Sequence, residues 1–176
     1  MAYNQYVYLE GKCSWVQAHR PNKYNKWSMQ LHLSPKSLED LRNLIGEKGL
    51  KTQIKKDDDG WFVRLNRVCE LTLKTGKIVG MLPPEVFDGM HPIKDEDGKV
   101  VGYPPLSEPI GNGSDGVAKI EVYPYTIPHT DGKKGYALRW HSLRIDTLVP
   151  FNKASFDEAM DNGVRGLPEQ PKQAAW

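Results

Sequence analysis

The residues able to do chemistry in this 176-residue chain are few and scattered. Its histidines, His19, His32, His91, His129 and His141, include no pair at metal-ligand spacing, and no GxSxG, HExxH or Walker loop occurs. Asp57, Asp58 and Asp59 could hold Mg²⁺ as in a nuclease, but Gly60 behind them marks a hairpin-like turn, where exposed aspartates are ordinary. "KDEDGK" has the same form and receives the same reading. "PIGNGSDGVAKIEVYPY", from Pro109 to Tyr125, carries glycines that could approach a phosphate, yet it lacks the lysine and following helix of a P-loop. With no catalytic constellation, no cofactor motif and no metal set, the expectation is a protein that is not an enzyme.

Binding chemistry is better represented. A protein that holds unpaired nucleic acid needs cations for phosphates and flat rings for bases, each stack contributing roughly 1–3 kcal/mol. Phe62 and Arg64 fall on the expected outer face of a third strand, and Lys119, Tyr123 and Tyr125 on that of a fourth. Lys133, Lys134, Tyr136, Arg139, Trp140 and Arg144 surround a fifth. Trp15 precedes a loop that gathers Arg20, Lys23, Tyr24 and Lys26. Trp27, Trp61 and Trp140 have apolar neighbours in phase, which favours packing in the core, whereas Tyr123 and Tyr125 alternate with aliphatic positions and favour exposure.

The elements that must position these residues are mainly strands. "EGKCSWVQAH" and "NKWSMQLHL" read as two, the second alternating Trp27, Met29, Leu31 and Leu33 with Lys26, Ser28, Gln30 and His32. A helix follows: Ser34 caps it, Pro35 suits its first position, and Leu38, Leu41, Leu44 and Ile45 form its apolar stripe, ending near Gly46 or Gly49. After the Asp59-Gly60 turn, Trp61, Val63 and Leu65 alternate with Phe62, Arg64 and Asn66. Residues 74–110 are broken by proline and glycine and read as an extended excursion with a small hairpin, not a second domain. In the fourth strand Ala118, Ile120 and Val122 share one face. In the fifth, Leu138 and Trp140 share one phase and Leu143 and Ile145 the other, so a bulge is expected near His141-Ser142. Five principal strands and one helix are compatible with a five-stranded OB barrel and also with other small closed β-barrels.

Composition sets the outer limits. Hydrophobic residues at 39% and charged residues at 26% are globular values, and the net charge of +2 is too mild for bulk charge to signal nucleic acid, so any basic footprint must be local. Cys13 and Cys69 lack CxxC spacing and read as thiols rather than a disulfide. "MAYNQYVYLE" has no basic stretch followed by an apolar one, and no apolar run approaches a membrane span, so a cytoplasmic location is expected. The division expected is a domain over 1–151 and a flexible, faintly acidic tail over 152–176, ending at Trp176.

In the order and wording of its segments the chain resembles the single-stranded DNA-binding proteins of tailed phages, helix-destabilising replication proteins built on an OB-fold. The segments that carry the resemblance are "KWSMQLHLSPKSLEDLRNLI", "DDDGWFVRLNRV", "PIGNGSDGVAKIEVYPY" and "LRIDTLVPF", spanning most of the chain from about Trp15 to Phe151. It implies a mainly β, five-stranded OB barrel with one helix after strand 2, a long excursion between strands 3 and 4, and a flexible C-terminal tail. It also implies sequence-tolerant, non-catalytic coating of single-stranded DNA during phage replication and recombination, in the host-cell cytoplasm. Contacts to replication enzymes such as polymerase, helicase/primase or nuclease are implied through the tail, and both a monomer and a homodimer stay open. Members of this class often end in a strongly acidic tail with a terminal aromatic. Here Trp176 supplies the aromatic, but "LPEQPKQAAW" holds one acid and one base, so an electrostatic competition with DNA is not expected. An RNA- or oligosaccharide-binding OB module, or a structural phage assembly protein, is the alternative.

Overall fold

A computed structural model describes residues 5–50, 52–127, 129 and 131–150 of the protein. The expected tail, Trp176 and its docking role therefore lie outside the described residues.

Alternation of apolar and polar residues builds the sheet. Strand β1 (Gln5–Gln17) is followed by β2 (Lys26–Leu33), where Trp27, Met29 and Leu31 are buried and Lys26, Ser28, Gln30 and His32 face outward. Helix α1 (Pro35–Lys48) begins as the sequence predicts: the Ser34 hydroxyl accepts the Ser37 N–H at 3.3 Å, and Pro35 occupies the first turn. It ends at Gly49, whose left-handed φ of 65° closes the helix. Ser37 Oγ accepts the Glu10 N–H at 2.8 Å and ties the helix to β1, while Leu41 and Leu44 enter the core. Strands β3 (Lys55–Asp57) and β4 (Gly60–Val68) form the hairpin expected around Asp59-Gly60. The last two long strands are β10 (Ser114–Thr126) and β11 (Lys134–Thr147).

Between β4 and β10 the excursion is richer than one small hairpin. It contains two, β5 (Glu70–Thr72) with β6 (Ile78–Gly80) and β8 (Ile93–Lys94) with β9 (Val100–Gly102). Between them, β7 (Glu85–Asp88) joins the main sheet in parallel with Ser142 to Ile145 of β11. That sheet has seven strands in the order β3-β4-β2-β1-β10-β11-β7, and its central five, β4-β2-β1-β10-β11, are the principal strands expected from the sequence. The fold is mainly β and OB-like, but the closed barrel expected from the sequence is corrected in one respect. No ladder joins β4 to β11, and the sheet stays open.

The bulge expected near His141-Ser142 is present. Lys119 faces Ser142 and Ile120 faces Trp140, leaving His141 as the extra residue, so Trp140 before it and Leu143 after it both reach the core at 0% and 1% exposure. A second irregularity lies in β1, where the register shifts between Ser14 and Gln17 and Trp15 adopts a left-handed φ of 54°. The glycine segment secures this corner. Asn112 Oδ1 accepts the Trp15 N–H at 2.8 Å, Gly113 donates to the Cys13 carbonyl at 2.8 Å, and Ser114 Oγ donates to the Gly111 carbonyl while accepting the Val149 N–H. These groups are spent inside the fold, which accounts for the segment without a phosphate.

Among the described residues no helix is long and apolar enough to cross a membrane. Cys13 is buried and Cys69 half-buried, both as free thiols; burial, with Asp115 and Asp146 nearby, pushes the Cys13 thiol up to about 12. Cys13 Sγ also bears on Gly116, where an added Cβ would stand 2.9 Å from the Arg144 carbonyl and 3.0 Å from that sulfur. Gly116→Ala is expected to lower stability by about 1–3 kcal/mol, read as a reduced urea midpoint with an unchanged slope.

Candidate nucleic-acid interface

The outer faces of β1, β10 and β11 collect the rings and cations. Register sets Tyr6 opposite Glu121 and Tyr8 opposite Lys119, then Glu121 opposite Arg139, Tyr123 opposite Ala137 and Tyr125 opposite Gly135. Because side chains on one face of paired strands stand roughly 5 Å apart, these residues become direct neighbours. Lys119 Nζ lies 4.6 Å from the Tyr6 ring centre, and the Arg139 guanidinium 4.3 Å from that of Tyr123. Tyr6 meets His141 edge to face at 5.3 Å. Tyr125 lies against Gly135, where an added Cβ would stand 2.8 Å from its ring. Glu121, 6% exposed, pairs with Arg139 at 3.4 Å, which satisfies a carboxylate that burial would otherwise penalise.

This face continues across the open seam. Ala137, opposite Tyr123 on β11, also lines a groove together with Arg64 and Asn66 of β4 and with Lys55 and Gln53. Beyond the groove, Arg64 faces Gln30 and Asn66 faces Ser28 on β2. In an OB-like fold, the outer face of the second and third principal strands, here β2 and β4, is a surface suited to oligonucleotides. The exposed Lys133 and Lys134 stand where β10 turns into β11, at one end of this path.

Several residues singled out in the sequence are used otherwise. Trp140 is 0% exposed, and its indole N–H donates to the Ser142 carbonyl at 3.1 Å, so it packs the core and offers no ring to a base. Phe62 points to the outer side as expected, yet at 8% exposure its ring is covered, with His32 5.3 Å away. Tyr136 packs against the core under Lys48 at 5.1 Å. Arg144 pins the excursion: it holds Asp146 at 2.8 and 3.1 Å and donates to the Tyr103 hydroxyl at 3.3 Å. Trp15 is half-buried at the glycine corner. Arg20, Lys23 and Tyr24 stay in the loop between β1 and β2, where Lys23 lies 5.0 Å above the Tyr24 ring.

Other members of the surface were not evident from the sequence. Tyr6 and Tyr8 are 43% and 60% exposed; the alternation of Tyr6 and Tyr8 with Val7 and Leu9 is the signal that extends β1 back to Gln5. His141 and Arg67 gained no role from spacing. Arg67 Nε donates to the Leu82 carbonyl at 2.7 Å and Nη1 approaches the Trp140 carbonyl at 3.5 Å, so this one side chain links β4, the excursion and β11. Folding also brings His32 within 2.8 Å of Asp57, whose Oδ1 accepts the Asp59 N–H. Ligand-capable atoms of these three residues lie within 4.8 Å of one another, with His32 and Asp57 hydrogen-bonded to each other.

No protein-family model matches the sequence, and no curated protein matches it. Solved structures do match in fold. Gp2.5, a single-stranded DNA-binding protein encoded by bacteriophage T7, superposes with a TM-score of 0.56 at 15% identity, covering 90% of this chain and 94% of that one. The single-stranded DNA-binding protein of bacteriophage Enc34 gives 0.50 at 14% identity, over 90% of this chain and 89% of that one. A structure of the Enc34 protein in complex with single-stranded DNA gives 0.50 at 13% identity, over 84% and 89%. The fold of this chain is thus that of phage single-stranded DNA-binding proteins.

His141 sits where burial, then Lys119, then Arg67 disfavour its protonated form and hold its pKa below the ordinary imidazole value. The unfolded chain therefore takes up this proton first as pH falls through about 6.5, and the native state loses stability in that window. Urea midpoints at neutral and mildly acidic pH are expected to differ more for the wild type than for His141→Gln; equal differences would remove His141 from the account.

Proposed function

We propose that the protein binds single-stranded DNA with little regard to sequence and protects it during phage DNA replication and recombination. The observation that carries this reading is the continuous outer surface running from Tyr6 and Tyr123, past Ala137 and the seam, to Arg64 on β4. Rings there can take bases while Lys119, Arg64, Lys133 and Lys134 neutralise phosphates. Proteins of the same fold are named as single-stranded DNA-binding, one of them in complex with that ligand, which supports the choice of ligand. The reaction proposed is binding alone, without catalysis or cofactor. Residues 1–151 serve as the binding domain and 152–176 as a tail that docks on replication proteins through Trp176.

The test is fluorescence anisotropy with matched single-stranded DNA, duplex DNA and single-stranded RNA at several salt concentrations. Preference for single-stranded DNA is expected, with log K falling against log salt by about 0.7 for each phosphate neutralised. Absence of binding to all three would move the function to assembly. Tyr6→Ala with Tyr123→Ala should weaken binding by roughly 30-fold or more, since each stack contributes about 1–3 kcal/mol, while the salt slope stays unchanged. Deleting residues 167–176 should leave DNA affinity intact and abolish capture of the replication partner.

A further inference from the structure

The open seam between β4 and β11 encloses a groove of about 380 Å³, within the range of small-molecule sites, roughly 300–1,000 Å³. Its composition points to one kind of occupant. Two cations, Lys55 and Arg64, line it and, among the described residues, no acid does, which suits a polyanion. Gln53 and Asn66 add amides that can both donate and accept, and Ala137 and Leu138 provide an apolar wall.

The backbone adds a second feature. Strand β4 is paired with β3 only through Gly60, Trp61 and Phe62, and β11 meets β7 only from Ser142 onward. Between those limits the facing edges of β4 and β11 have no ladder partner among the described residues, and a free strand edge presents alternating N–H donors and carbonyl acceptors. Such an edge can pair with a peptide strand or with the edge of a nucleobase, and the two cations beside it favour the nucleic acid.

We infer that the seam receives one unstacked nucleobase of bound single-stranded DNA, its edge meeting Gln53, Asn66 and the open backbone while Lys55 and Arg64 hold the flanking phosphates. This rests on the function proposed above and adds a subsite to it: the tyrosine face stacks bases, whereas the seam takes one edgewise.

The test uses a thymidine oligonucleotide carrying a single photoactive 4-thiothymidine, irradiated on the full-length protein and mapped by peptide mass. Adducts on peptides holding residues 52–55, 64–66 or 137–140 are expected. Gln53→Ala with Asn66→Ala should weaken binding by roughly 5-fold or more with the salt slope unchanged, because two neutral hydrogen-bonding groups are lost. Lys55→Ala with Arg64→Ala should lower that slope by about 1.4. The amides are removed from the surface, and a thermal melt confirms that each variant folds. Wild-type affinity in the amide variant, with adducts confined to other peptides, overturns the seam subsite and leaves the DNA reading standing. A wild-type protein that binds no single-stranded DNA overturns both.

Discussion

The structure depends on how an unclosed sheet is held shut. A small barrel whose end strands do not pair exposes backbone groups and loses the rigidity that a full ladder gives. Here Ser142 to Ile145 of β11 pair with β7, supplied from the excursion, while Ala137, Leu138 and Trp140 face β4 across a groove. Arg67 sits between the two solutions, reaching Leu82 on one side and Trp140 on the other. Burial and the neighbouring Arg139 act against its charge, and Glu121 acts for it. The excursion is therefore part of the sheet's closure, which explains why a stretch so rich in proline and glycine is kept beside the barrel.

His141 shows how one residue of slack organises both sides of the sheet. Without a bulge, Trp140 and Leu143 would point to opposite faces, because side chains alternate strictly along a strand. The extra residue lets both fill the core and leaves the His141 ring against Tyr6 and near Lys119 and Arg67. The same irregularity that completes the core thus delivers a titratable group to the candidate interface. Core packing and surface chemistry are coupled there by backbone geometry alone.

What the sequence made legible follows from period. The strand-and-helix order, the Ser34 cap and the bulge rest on local alternation and local hydrogen bonding, and Leu138, Trp140, Leu143 and Ile145 announce the phase change by themselves. The same alternation separates Tyr123 from Val122 but cannot show what lies above a ring, so Phe62 passed as a stacking candidate although it is covered. Arg144 is cationic and outward, yet its partner Tyr103 lies 41 residues away in the chain. The seam was invisible for a similar reason: whether β4 and β11 pair is a long-range outcome that no window of sequence contains.

Electrostatics on the candidate face separate the two tasks that single-strand binding requires. Arg139 is partly neutralised by Glu121 and lies over Tyr123, so its guanidinium orients a ring more than it contributes free charge. Its side chain is 20% exposed, and a phosphate arriving there would compete with a carboxylate already in place. Arg64 and Lys133, by contrast, are exposed and stand toward the margins of the path. In the proposed function this arrangement puts bases over the centre of the sheet and phosphates toward its edges. Such a division tolerates any base sequence, because every base presents a π-face to a ring. Departures from that tolerance are then confined to the seam, where amides and an open backbone edge can distinguish one base edge from another.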